Sequence, residues 1–411
     1  MRALRLCACW VLAALATACG GAGGGAPGGA VSSTGPSCQA GGPFTGEPLH
    51  AAVSTNFFPA AVDAADASKP LPDSLSVALD QQVRDILLKT GAPAVTAAIT
   101  VPGLGRWSSS QGLAQAVPAQ PVNSGTEFYW GSVAKTLTAV LVLQLVEEGK
   151  LRLDDALSRW YPRIPMAERI TLAQLLTHTS GLQTYASSGL QAKTPAQEAE
   201  LLAHAPLLFC PGTNASYSNA GYLLLGLIVE AVEQQPFHQS VQRRIAAPLG
   251  LQHLRALDPG EEAPTALATP HAGGTPQADP GAWMRLGAGN VVARAEDMVV
   301  FWQAVLSGGL LAPATVQSQW ALLYQLFAKS TESNQGNSWF GMGVMLSEWT
   351  DDTGRPRAWL GHSGGIPTAN AQLLYDPSAH AYAAVAVNSE VSSAAVANAL
   401  LKAVADWRAT H

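Results

Sequence analysis

Residues 132–147, SVAKTLTAVLVLQLVE, would be apolar on almost every side of a helix: Val133, Leu137, Val140, Leu141, Val142, Leu143, Leu145 and Val146 leave no polar stripe. Such a helix cannot lie on a surface, so it has to run through a core large enough to surround it. A chain of 411 residues that is 48% hydrophobic can build that core. Yet Ser132 and Lys135 stand on the first turn, three apart and therefore on one face. No other serine in the chain precedes a lysine by three.

A serine hydroxyl is a weak nucleophile and needs a base within hydrogen-bond reach. A lysine serves once burial destabilises its ammonium form. The helix start adds unpaired N–H groups and a favourable dipole for a developing oxyanion. The structural alternative is a surface lysine passing a capping serine, and the spacing alone does not decide between them.

The rest of the chain brackets this helix with strands. SLSVALDQQVRDILLKTG reads as an amphipathic helix stopped by Gly91, AVTAAITV as a buried strand and GRWSSSQGLA as its hairpin partner. From Ser132 to Gly309 the pattern is mostly helical, with Pro- and Gly-rich loops. Strands return in FGMGVMLSEW, RAWLGHSG, NAQLLYDP and AYAAVAVN, and SSAAVANALLKAVADWRA closes the chain as a helix. The expectation is an α+β fold: an antiparallel sheet built from both ends of the chain, with an inserted all-helical lobe and a cleft between them. The sheet lobe would take about 71–130 and 338–411, the helical lobe about 131–337.

The N-terminus has a different character. Residues 1–18 join Arg2 and Arg5 to a short apolar run, the pattern of a signal peptide too short to span a bilayer. The small residues end at Cys19, in LATAC, which resembles a bacterial lipobox, so lipidation of Cys19 at a bacterial membrane is expected, with simple secretion as the alternative. Residues 19–70 read as a flexible Gly-rich tether and 71–411 as the catalytic domain. Cys38 and Cys210 are the cysteines left beyond Cys19. An exported protein could pair them, yet Cys38 stands in the tether, and a free buried Cys210 fits equally well. No Cys/His spacing suggests a metal and no cofactor is expected. The net charge of −6, with no basic patch, argues against nucleic acid as a partner.

A second serine competes for the role of nucleophile. GHSGG, residues 361–365, satisfies the G-x-S-x-G elbow of α/β-hydrolases. That elbow needs a helix directly after the serine, then an acid and a base, whereas the residues beyond Ser363 are strand-like. Asp376 and His380 straddle a turn, DPSAH, and fit poorly as partners. Ser132 is the better nucleophile.

Ser132-Val-Ala-Lys135, Tyr217-Ser218-Asn219 and His362-Ser363-Gly364, in that order, resemble the three motifs of the serine β-lactamase and penicillin-recognising D-alanyl-D-alanine carboxypeptidase superfamily. The connecting stretches LVEEGKLRLDDALSRWYP, ITLAQLLTHTSGL, PGTNASYSNAGY and IAAPLGL are similar to that family as well, and the likeness covers roughly residues 75–405. The resemblance implies that Ser132 attacks a carbonyl, with Lys135 as base, Tyr217 as proton carrier and Asn219 holding the substrate amide. His362, Ser363 and Gly364 would bind the substrate's carboxylate end, and the N–H groups of Ser132 and Gly365 would form the oxyanion hole. Small peptide or acyl compounds are the implied substrates, β-lactams among them. Histidine in the third motif tilts the expectation from a class C-like β-lactamase or an esterase towards a D-alanyl-D-alanine carboxypeptidase. A non-catalytic peptide or cell-wall binder would have no need of Lys135. Thr368 and Ala369, where the family commonly has Gly and an aromatic, leave substrate choice open. His178 is expected to be a hydrogen-bonded structural residue, and Asp154 and Asp155 a cap and first turn rather than a paired-carboxylate site.

Overall fold

The structure, a computed structural model, describes Cys38, residues 42–46, 49–54, 57–59 and 69–411 apart from 186–193, 259–265, 278–285, 328–336, 352–353 and 367. The expected signal segment 1–18 and Cys19 lie outside the described residues. No described helix is long and apolar enough to cross a membrane.

Among the described residues, nine strands form one antiparallel sheet. They are β1 (Ala94–Val101), β2 (Gly105–Gln115), β3 (Gln120–Pro121), β4 (Tyr324–Gln325), β5 (Asn337–Phe340), β6 (Met345–Thr350), β7 (Pro356–Ile366), β8 (Ala369–Asp376) and β9 (Ala381–Val387). Their spatial order is β3-β2-β1-β9-β8-β7-β6-β5-β4. The ends of the chain therefore meet at the centre, with Val95 opposite Val387 and Ile99 opposite Ala383.

Every residue of β1 and β9 is buried, because both sheet faces are covered. On one face lie α1 (Asp73–Thr90) and α6 (Ser393–Thr410). Leu75, Leu79 and Val83 of α1 and Leu400 and Val404 of α6 pack there on Val95, Ala97, Ile99, Ala383, Val385 and Val387. Alternate side chains of β1 point the other way, so Ala94 and Ala98 join the larger core beneath the helical lobe. Gly91 ends α1 as expected, in the left-handed region at φ 69° with its N–H on the Leu87 carbonyl.

The larger core surrounds α2 (Ala134–Glu147), whose residues from Ala134 to Leu143 are all buried. It packs against α4 (Asn219–Glu233). FGMGVMLSEW, expected as one strand, is divided into β5 and β6 by a turn. At that turn Gly343 presses its backbone onto α2, where its carbonyl accepts from the Thr136 hydroxyl at 2.9 Å. A hairpin anchored on the buried helix stands in place of a continuous strand.

The described part of the stretch read as a free tether is held on the domain. Cys38 is joined to Cys210 by a disulfide. Thr45 donates its backbone N–H to Thr213 at 2.7 Å, His50 pairs with Leu323, and Val53 N–H reaches Trp320. Phe44 packs on Tyr324, with ring centroids 5.4 Å apart. Composition predicts freedom for Gly- and Ser-rich chain, but a covalent bond and these backbone contacts override it here.

Candidate active site

A short 3₁₀ turn, Gly131–Val133, delivers Ser132 to the start of α2, and Lys135 comes next on the same face. Their Oγ and Nζ atoms are 3.1 Å apart. Lys135 is fully buried. Its Nζ also donates to the Asn219 side-chain oxygen and to the Ala288 carbonyl, each at 2.7 Å. Burial pushes its pKa well below the ordinary lysine value. In the neutral amine, the two N–H bonds go to those two carbonyl oxygens. The lone pair that remains points at Ser132, the arrangement a base requires.

The second motif sits where the loop before α4 turns into the helix. Ser218 caps α4, its hydroxyl accepting the Gly221 N–H, so Asn219 is the first helical residue and faces Lys135. Lys135 Nζ lies 4.9 Å from the Tyr217 ring centroid. Burial raises the Tyr217 pKa, outweighing the influence of the Ser132 side chain, which lowers it. A phenolate at Tyr217 is thus costly while a neutral Lys135 is favoured.

His178 is a structural histidine, as expected. It is buried, it stacks on Tyr217 at 4.5 Å between ring centroids, and its Nδ1 accepts the Ser218 N–H. Burial first, and then the proximity of Lys135 and His362, lowers its pKa well below the ordinary value, so the lone pair that accepts Ser218 is kept. Asp154 and Asp155 form no site at the cleft: Asp154 pairs with Arg152 on the surface, and Asp155 accepts the Arg152 backbone N–H and an Arg159 nitrogen.

The third motif lies on β7. Pairing with β6 ends at Gly361, so the β7 edge over 362–366 is left to the turn that carries Ser132. The two backbones touch. A Cβ on Gly131 would fall 2.6 Å from the Gly365 nitrogen, and one on Gly364 would fall 3.0 Å from the Ser132 nitrogen. Gly131 also holds φ at 49°, so glycine is required there on two counts. The contact brings the backbones around Ser132 and Gly365 together.

His362 differs from the cation that a carboxylate pocket would want. It is 2% exposed, and its Nδ1 lies 2.6 Å from the Ser363 carbonyl. Burial, reinforced by Lys135, pushes its pKa down to about 3. The imidazole is neutral at pH 7. Ser363 is part-buried with its hydroxyl towards Met345 Sδ at 3.8 Å, and among the described residues no acid–base partner of the kind an elbow nucleophile needs is bonded to it.

Sequence reasoning did not single out Gly131, the Ala288 carbonyl or Tyr185, whose hydroxyl accepts from the Asn219 side-chain nitrogen at 2.9 Å. Gly131 had a signal, standing directly before the serine of a close-packed turn. Ala288 acts through its backbone and had none. No group of His, Cys, Asp and Glu suited to a metal occurs among the described residues.

The chain matches the Beta-lactamase family over residues 79–406. Penicillin-binding protein 4 of Amycolatopsis lactamdurans is 30% identical over 66% of this chain and 74% of its own length. A putative penicillin-binding protein, PbpX, of Bacillus subtilis (29%) and Esterase EstB of Burkholderia gladioli (33%) align over 53% and 49% of this chain. The chain spans only about half the length of these last two, 54% and 55%. Among solved structures, the D-amino acid amidase of Ochrobactrum anthropi SV3 superposes with a TM-score of 0.70 at 22% identity, covering 82% of this chain and 100% of that one. A penicillin-binding protein from Bacillus halodurans gives 0.63 at 22%, covering 80% and 99%. With a family match over most of its length and a fold shared with these structures, the chain belongs to the beta-lactamase family of serine hydrolases.

Proposed function

We propose that the chain is a D-alanyl-D-alanine carboxypeptidase-like peptidase of cell-wall stem peptides that works through an acyl-enzyme on Ser132. The observation that supports acyl transfer is the buried Lys135, whose two carbonyl acceptors leave its lone pair for Ser132. Ser132 Oγ adds to the substrate carbonyl and its proton passes to Lys135. The N–H groups of Ser132 and Gly365 take the oxyanion, and Asn219 Nδ2 holds the substrate amide. Tyr217 carries the proton to the leaving amine, and water then releases the acyl group by the same route.

A second reading, an esterase or amidase of the same family, is favoured by His362. A neutral imidazole gives no ionic partner to a carboxylate, so a substrate with an uncharged end loses nothing at this site. Export is part of the proposal and draws support from the Cys38–Cys210 disulfide, a bond that persists in oxidising compartments. Lipidation of Cys19 belongs to the same proposal.

The test is intact mass after incubation with a penicillin, a peptide ending in D-Ala-D-Ala and a p-nitrophenyl ester, repeated with Ser132→Ala. A penicillin adduct and D-Ala release, both lost in the variant, support the carboxypeptidase. Ester turnover without either supports the second reading. No Ser132-dependent reaction with any of the three would sink acyl transfer.

A further inference from the structure

Tyr185 lies just beyond the HTSGL stretch and belongs to none of the three motifs. The segment that leads to it runs along the second motif and bonds to it repeatedly. The Gln183 carbonyl accepts the Ser218 hydroxyl at 3.0 Å, the Thr184 hydroxyl donates to the Tyr217 carbonyl at 2.8 Å, and the Thr184 carbonyl accepts the Ala220 N–H at 3.0 Å. Tyr185 completes the series at the side chain of Asn219.

An asparagine amide has two ends that differ only in donor and acceptor character. With Oδ1 towards Lys135, the amine donates to it and keeps its lone pair for Ser132. With the amide turned over, Nδ2 would donate into that lone pair and Ser132 would lose its base. A tether at the Nδ2 end steadies the amide against that turn. The geometry points to Tyr185 as that positioning residue: its hydroxyl accepts from Asn219 Nδ2 and tethers the amide while the amide oxygen meets Lys135. An arriving substrate carbonyl would accept from the same Nδ2, so the amide is held in the orientation that substrate binding requires. The inference deepens the acyl-transfer reading and rests on it for the role of Lys135.

Several groups face Lys135. Ser132 and Asn219 bond to it, Tyr217 and Tyr222 present their rings at 4.9 and 5.6 Å, and His178 and His362 are the titratable neighbours whose own pKa values it lowers. Both histidines are held neutral, so neither competes with Asn219 over the range of the experiment. An acceptor beside the amine favours its ammonium form, and a donor opposes it.

The experiment compares the full chain with Tyr185→Phe, which removes one hydroxyl from a side chain 37% exposed, with an unchanged Tm confirming the fold. Two quantities are read. One is the titration midpoint of Lys135, from protein labelled with 13C at the lysine Cε and assigned with Lys135→Arg. The other is the rate at which a fluorophosphonate bonds phosphorus to Ser132 Oγ and releases fluoride. Tyr185→Phe is expected to lower the midpoint by about half a pH unit and to slow phosphonylation about fivefold. A slower reaction with an unmoved midpoint would reduce Tyr185 to a packing residue at the cleft lip and overturn the inference. No change in either quantity would overturn it too. A moved midpoint in a protein whose Ser132 never reacts would keep the positioning role and remove the acyl-transfer reading instead.

Discussion

Gly364 and Trp130 lie so close that a Cβ on Gly364 would come within 1.9 Å of the Trp130 carbonyl oxygen. Trp130 is fully buried, with its indole N–H on the Ala293 carbonyl, so it cannot move aside. The contact joins the sheet lobe to the turn that presents Ser132.

Gly364→Ala should therefore separate β7 from that turn. Overpacking of this kind costs about 2–3 kcal/mol, and displacing the Gly365 N–H by about 1 Å lowers kcat/KM about a hundredfold. Urea unfolding and ester hydrolysis check the two effects together. A variant with normal stability and rate would show that the backbone contact is not needed.

The pH profile is set by His362 and Lys135. His362 is held low, to about 3, so it changes charge below the working range, and no limb between pH 5 and 9 should belong to it. With Lys135 as the proposed base, acting as the free amine, kcat/KM should rise with pH through its lowered pKa. His362→Gln should keep the position of that limb. A limb near pH 6 that disappears in His362→Gln would return His362 to the role of a protonated carboxylate binder.

The same residues bear on stability. In the unfolded chain His362 and Lys135 regain ordinary pKa values and bind protons more readily than in the fold. Stability rises with pH wherever the unfolded state holds the extra proton. For His362 the window runs from about pH 3 to its ordinary value near 6.5, and stability is lost as pH falls through it. Thermal unfolding of the wild type between pH 4 and 7 should steepen relative to His362→Gln, and parallel curves would contradict the neutral assignment.

The disulfide closes a loop of 172 residues between Cys38 and the loop that leads into Tyr217. Its reduction should cost about 2–4 kcal/mol. Cys38→Ser and wild type treated with a reductant should then share one lowered Tm. If wild type shows no change on reduction, the N-terminal segment is held by its other contacts alone.

Much of this was readable from local pattern. Helix periodicity places residues three apart on one face, which by itself pairs Ser132 with Lys135. Apolar content around the helix said that Lys135 would be buried, and burial alone supplies the direction of its pKa. The alternation of strands and helices announced a sheet made from both ends. What the sequence could not set was anything carried by residues distant in the chain or by backbone atoms. The Ala288 carbonyl that takes one Lys135 N–H is 153 positions away and has no side-chain signature. Tyr185 meets Asn219 because two loops fold side by side. His362 stands in the motif as a potential cation, and only its enclosure beside Lys135 makes it neutral, because ionisation depends on solvent exposure and nearby charge. Cys38 reads as part of a free tether until the fold brings Cys210 within bonding distance. Short-range geometry is dictated by the covalent chain, whereas these contacts exist only once a topology has chosen which distant segments meet.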